Sequence, residues 1–188
     1  MVRADSPLTS TDLTLGYTDS ENVAAAKASF VINESVLKFL TGNGPIAEKM
    51  AVICQFGWLS GSYNNATIFS EYLLKLRKSE SNYTGDDYLC LAYIYALGNY
   101  LYTDKEMDMT EPLKYSAKAI EKNGKSYTFQ IIRALIVAEV YNYDVKKWCD
   151  VYKVCDAVRT DKSLKQDMAS ASIKGIFDYI DIFKDECK

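Results

Sequence analysis

The sequence predicts an all-α fold, and three observations carry that expectation. Only 9 Gly and 3 Pro punctuate 188 residues, too few turn formers for a sandwich or barrel that reverses direction every dozen residues or so. From Ser20 onward apolar residues recur three and four positions apart, the spacing of one helix face. No stretch longer than a few residues alternates apolar and polar, as a half-buried strand would. With 48% apolar and 25% charged residues, the chain has the composition of one globular domain able to bury roughly 70% of its unfolded surface.

Residues 1–19 are rich in Ser, Thr and Asp without periodicity, and are expected to form an extended N-terminal arm or loosely docked lead-in ahead of a single helical domain over 20–188. Ser20 caps a first helix carrying Ala24, Phe30, Val31, Val36, Leu37 and Leu40, which Thr41-Gly42-Asn43-Gly44-Pro45 ends. Pro45 opens a second helix reaching Leu59, and Ser60-Gly61-Ser62 closes it. A third spans Asn64 to Lys78. The polar stretch Ser79 to Asp86 reads as a loop before a tyrosine-rich fourth helix from Asp87 to Leu101. After the acidic segment Thr103 to Thr110, Glu111 and Pro112 sit in the first turn of a fifth helix that stops near Lys122-Asn123-Gly124. The sixth runs from Ser126 to Asn142, the seventh from Asp144 to Val158, and the last from Leu164 to Lys184, for about eight helices in all.

Composition also excludes function classes. The chain has no histidine, which removes Ser-His-Asp and Cys-His catalysis, HExxH zinc sites and imidazole proton shuttles. Lys and Arg number 22 against 25 Asp and Glu, a net charge of −3 with both signs interleaved, so no basic stripe is available for nucleic acid. The longest apolar run, Tyr88 to Leu97, is ten residues, about half of a membrane span. No GxSxG elbow, P-loop or GxGxxG fingerprint occurs. Asp104, Glu106, Asp108 and Glu111 have carboxylate spacing suggestive of a calcium loop, but Met109 stands where its Gly is required and Tyr115 where its Glu is required. They read as an acidic cap on the following helix. Asp178, Asp181, Asp185 and Glu186 read as a solvated face of the last helix. Neither a cofactor nor a metal is expected.

Five cysteines, Cys54, Cys90, Cys149, Cys155 and Cys187, include no CxxC pair, which disfavours zinc. Cys54 and Cys90 lie in apolar helical stretches and are expected to be buried thiols. Cys149, Cys155 and Cys187 flank the last two helices and could contribute one disulfide, with the pair left open. Val2-x-Ala4 has the small-x-small pattern of a signal-peptidase site, and the segment DSPLTSTD resembles the mature start of exported bacterial proteins. Both point to a periplasmic or secreted protein, with a cytoplasmic one as the alternative.

Helix pairs show self-similarity. In the unit beginning AVICQFGWLSG, Gly61, Tyr63 and Ala66 precede an amphipathic second helix. A second unit keeps Ala92, Leu97-Gly98 and Ala117 to Ile120 but inserts the acidic loop, and a third keeps Tyr141 and Tyr143 at its turn but has Lys146 in place of Ala. Over residues 45–160 this resembles a degenerate tetratricopeptide repeat, although the separations of 37 and 43 residues between Tyr63, Tyr100 and Tyr143 exceed the usual unit of about 34. The resemblance implies helix-turn-helix pairs stacked as an α-solenoid, the alternative being a closed helical bundle. It also implies a concave face lined by the first helix of each pair. Polar residues interrupt those helices at Gln55, Asn99, Gln130 and Arg133, and Tyr95 joins them from the tyrosine-rich helix. These five are the candidate partner-binding residues. Arg133, set among Ile131, Ile132, Ala134 and Leu135, must meet a carboxylate or face a groove. The expected function is non-enzymatic binding of a protein or peptide. The alternatives are a small-molecule or lipid binder with a tyrosine-lined pocket, and an inhibitor of the immunity-protein type.

Overall fold

The computed structural model describes residues 6–29, 31–56, 63–101 and 108–187. Nine α-helices occur among them: α1 Glu21–Ser29, α2 Glu34–Thr41, α3 Ile46–Cys54, α4 Tyr63–Arg77, α5 Gly85–Leu101, α6 Thr110–Asn123, α7 Tyr127–Asn142, α8 Trp148–Thr160 and α9 Ser170–Ile180. Short 3-10 turns lie at Leu13–Gly16, Glu80–Asn82, Val145–Lys147 and Asp181–Glu186. The described residues contain no strand, only an isolated parallel bridge between Ser126 and Lys165. The fold is all-α, as composition and periodicity predict. Phe30, Trp58, Gly61, Tyr102, Asp104 and Glu106 lie outside the described residues, as do the side chains of Tyr63 and Tyr100.

Several boundaries differ from the sequence reading: α3 stops at Cys54 rather than Leu59, α8 starts at Trp148 after a 3-10 turn, and two further differences have a clear local reason. The first predicted helix is two, because Asn33 caps a new start, its side chain accepting the Val36 N–H at 3.1 Å. The last helix begins at Ser170 rather than Leu164, because the chain is first drawn alongside the α6–α7 turn. There the Lys165 N–H donates to the Lys125 carbonyl (2.8 Å) and the Tyr127 N–H to the Lys165 carbonyl (3.0 Å).

Residues 6–19 are not an extended arm. Ser6, Leu8, Thr11 and Leu13 are buried, and the Leu13–Gly16 turn packs on α9, so the described N-terminal end of the chain meets its last α-helix. The composition misleads because the hydroxyls satisfy their own backbone: Ser6 Oγ accepts from the Leu8 and Thr9 N–H groups, and Thr11 Oγ1 donates to the Pro7 carbonyl at 2.9 Å. Against α9, Ser172 Oγ donates to the Leu13 carbonyl (2.7 Å) and accepts the Gly16 N–H (3.1 Å). Gly16 is required here, since a Cβ would lie 2.4 Å from that of Ala169.

The centre is α5, where Leu89, Cys90, Ala92, Tyr93 and Ala96 are fully buried and which packs on α2, α3, α4, α6 and α7. A helix apolar all round belongs inside a core. Its N-terminus is fixed by a capping box: Thr84 Oγ1 accepts the Asp87 N–H (3.1 Å) and Asp87 Oδ2 accepts the Thr84 N–H (2.8 Å). Arg77 grips the same Asp87 with Nε and Nη2 at 2.9 and 3.2 Å, and its Nη2 also donates to the Thr41 carbonyl. Beside it Lys49, 1% exposed, donates to the Gly42 carbonyl and to Asp86 Oδ2, both at 2.7 Å.

Asp86→Ala should destabilise by about 3 kcal/mol or more, because the Lys49 ammonium is then stranded in the core. Lys49→Met should cost only about 1–2 kcal/mol, because Met fills the stem volume and Asp86 can rehydrate. Urea denaturation of the two variants checks the order, and a smaller loss for Asp86→Ala would contradict the geometry.

At the C-terminal end Cys149 and Cys187 form a disulfide with a Cα–Cα distance of 4.8 Å, leaving Cys155 as a buried thiol. The bond fastens the Asp181–Glu186 turn to the start of α8, where Trp148 packs edge-on against Phe183 at 6.0 Å. For 38 residues of separation, loop-closure entropy places its contribution near ~4 kcal/mol. Reduction should therefore lower the thermal midpoint while leaving the helical circular dichroism signal intact at low temperature. An unchanged midpoint would mean that the bond constrains nothing.

Candidate functional site

The five candidate residues do not line one described cavity. Gln55 follows α3 and lines the largest of these cavities. Asn99, near the end of α5, donates its Nδ2 to the Asp108 carbonyl across the acidic connection. Gln130 buttresses the α6–α7 turn, its Nε2 donating to the Gly124 carbonyl at 2.8 Å. Arg133 meets neither a carboxylate among its described contacts nor a described cavity; its Nη1 reaches Ser116 Oγ at 3.4 Å and the side chain is half-buried. The buried cation that holds a carboxylate is Lys49, whose place in the apolar run IAEKMAVIC was the available signal.

Tyr95 belongs to an aromatic ladder. Its ring lies 5.9 Å from Tyr115, which stacks on Tyr88 at 6.1 Å, which in turn meets Tyr83 at 5.5 Å. Tyr88 and Tyr93 are buried, and none of the described cavities is lined by tyrosine. Tyr93 fills the core, and Tyr88 and Tyr95 join α5 to Tyr115 of α6.

The largest described cavity, about 650 Å³, lies between the lead-in, α1 and the end of α3. One wall is Thr9, Ser10, Thr11, Asp12, Thr14 and Thr18, the other is Val23, Ala24 and Lys27, and Cys54 with Gln55 forms the base. The walls are held from both sides. Asp12 Oδ1 accepts the Thr14 N–H and Oγ1–H at 2.9 and 2.7 Å, while Glu48 of α3 accepts from Ser20 Oγ (2.6 Å) and Asn22 Nδ2 (3.1 Å) and so anchors α1. Ser20 itself caps α1 by accepting the Val23 N–H. This wall is hidden in the sequence because a run of Thr, Ser and Asp without periodicity reads as an extended arm or loosely docked lead-in.

The base carries no ionised nucleophile. Cys54 is 5% exposed and its thiol donates to the Thr11 carbonyl at 3.7 Å, and burial pushes its pKa from 9.0 up to about 11. Cys155 is pushed up to about 12 and Cys90 also upward, again by burial. Two further cavities flank Asp86. One, of about 490 Å³, is bordered by Lys122, Lys125, Ser126, Lys165 and Asp167, and the other, of about 390 Å³, by Thr41 to Gly44, Arg77 and Thr84. The described residues hold no cluster of metal-ligating side chains, and none of their helices is long and apolar enough to cross a membrane.

No family model matches the chain, and searches of curated proteins and of solved structures give no match either. The site must be read from its own chemistry.

The buried thiols make stability depend on alkaline pH in a fixed direction. A thiol whose folded pKa is raised holds its proton more tightly when folded, so its contribution is complete below the unfolded value and is lost as pH rises through about 9 to 11, at ~1.4 kcal/mol per unit for each thiol. The urea midpoint should fall over that window and fall less steeply in Cys54→Ala. A flat profile would place these thiols in solvent.

Proposed function

We propose that the chain is a non-enzymatic helical binding module that takes a short polar peptide segment in the cavity between the lead-in and α1. The observation that carries this reading is the lining: hydroxyls of both donor and acceptor character, the Gln55 amide, a carboxylate at Asp12 and an ammonium at Lys27, around about 650 Å³. An extended peptide presents alternating N–H and C=O groups, and Thr, Ser and Gln can answer either. The volume falls within the ~300–1,000 Å³ of ligand sites. No aromatic ring lines the cavity, so a sugar ring finds no stacking platform there. The protonated Cys54 thiol favours binding over covalent chemistry.

In this reading α5–α6 and α7–α8 are degenerate tetratricopeptide-like pairs, and the packing of consecutive helices from α4 to α8 supports it, whereas α3 packs on α1 and α5 rather than on α4. The contact between the lead-in and α9 brings the two ends of the described chain together, which favours the closed helical bundle as the second reading. The Cys149–Cys187 bond supports an exported protein working in an oxidising compartment.

Selection of a displayed hexapeptide library on the intact protein tests the proposal. Polar peptides should be enriched, and Gln55→Ala or Thr18→Ala should weaken the selected peptides by about 1 kcal/mol each without moving the thermal midpoint. No enrichment, or peptides indifferent to both substitutions, would remove this cavity as the binding site.

A further inference from the structure

We infer that the cavity of about 490 Å³ at the α6–α7 turn is a second site, specific for a phosphate-class oxyanion. It shares no lining residue with the peptide cavity. Three lysines border it, Lys122 at the end of α6, Lys125 in the turn and Lys165 before α9. Two backbone hydrogen bonds tie Lys165 to the turn, its N–H donating to the Lys125 carbonyl and its carbonyl accepting the Tyr127 N–H, in a bridge that pairs it with Ser126. Three like charges bordering one cavity repel, and a bound anion offsets the repulsion.

The carboxylates in reach are already engaged. Asp86 accepts from the buried Lys49. Asp167 accepts from Ser126 Oγ and from the Thr128 N–H and Oγ1–H, at 2.9 and 2.8 Å for the latter two. Asp161 faces Lys125 from outside the lining, and its carboxyl is held below the usual range chiefly by the Ser163 hydrogen bonds. With Lys49 counted, the lining has a surplus of positive charge on a chain whose net charge is −3. Lys122 is braced near the Tyr88 ring at 6.0 Å, and Gln130 steadies the turn through the Gly124 carbonyl.

The ligand class follows from the donors. Three compact ammonium groups without an arginine fork suit a tetrahedral dianion with three acceptor oxygens better than a planar carboxylate. The volume leaves room for the organic part of a phosphate ester.

Titration calorimetry of the intact disulfide-bonded chain, with inorganic phosphate and separately with glycerol phosphate in chloride buffer, tests this. Saturable binding is expected, weakening as pH drops through the second ionisation of the probe, about 6 for a phosphate ester and higher for the inorganic ion. Lys125→Gln with Lys165→Gln should weaken it by about tenfold or more, whereas the charge-matched Lys174→Gln with Lys184→Gln should not. Tighter binding of the ester assigns the site to an organic phosphate, and equal binding assigns it to the free ion. No saturable binding by about 10 mM phosphate, or an equal loss in both double variants, overturns the inference.

Discussion

The fold depends on how the N-terminus of α5 is fixed, and two cations do it. Lys49 and Arg77 come from different helices, yet each bridges the same two places: a carbonyl at the C-terminal end of α2 and a carboxylate in the first turn of α5. Both places need the charge. The last carbonyls of a helix lack intrahelical partners and carry its negative end. Asp86 and Asp87 suit the positive end of α5 but, close to the core, need cations of their own. One pair of side chains satisfies both requirements, and α2, α3, α4 and α5 are thereby joined at a single corner. From that corner the apolar surface of α5 runs inward, where α3, α4, α6 and α7 pack on it.

The same corner shapes the electrostatics nearby. Asp86 borders two cavities, and were it unpaired it would neutralise a lysine across the larger one. Because Lys49 holds it from within the core, and because Asp167 is occupied in capping α7, Lys122, Lys125 and Lys165 lack an equivalent partner on the cavity wall. A buried lysine on one side of a helix terminus thus leaves a positive surface on the other.

The helical architecture was legible in the sequence because it rests on local quantities: turn formers at Thr41 to Pro45, the caps Ser20 and Ser126, and spacing along α4 to α8. Burial of Cys54 and Cys90 followed from the same spacing, and the C-terminal cysteines were recognised as able to bridge. What escaped depends on contacts distant in sequence. Ser172 meets Leu13 and Gly16 across more than 150 residues, and nothing local in DSPLTSTDLTLG announces α9 as its partner. Arg133 and Lys49 show the same limit on a smaller scale. Each is a lone cation in an apolar helix, and only the tertiary neighbours assign the carboxylate to Lys49 and a serine hydroxyl to Arg133. The aromatic ladder of Tyr83, Tyr88, Tyr95 and Tyr115 likewise converts apparent pocket lining into packing between α5 and α6.

The lead-in joins the fold and the proposed binding cavity in one segment. Its inward hydroxyls, at Ser6 and Thr11, close turns within the chain, and Thr9, Thr14 and Thr18 face the largest described cavity together with Asp12. The segment is held at one end by α9 and bordered at the other by α1, so the cavity exists only while the lead-in is docked. A ligand in it therefore binds the docked state and not the undocked one, and stabilises docking in proportion to RT ln(1 + [L]/Kd). Substitutions at Gly16 or Ser172, which touch no ligand, act on affinity through the population of that docked state. The interface between the lead-in and the last helix is for this reason as much a part of the proposed binding site as the hydroxyls that line it.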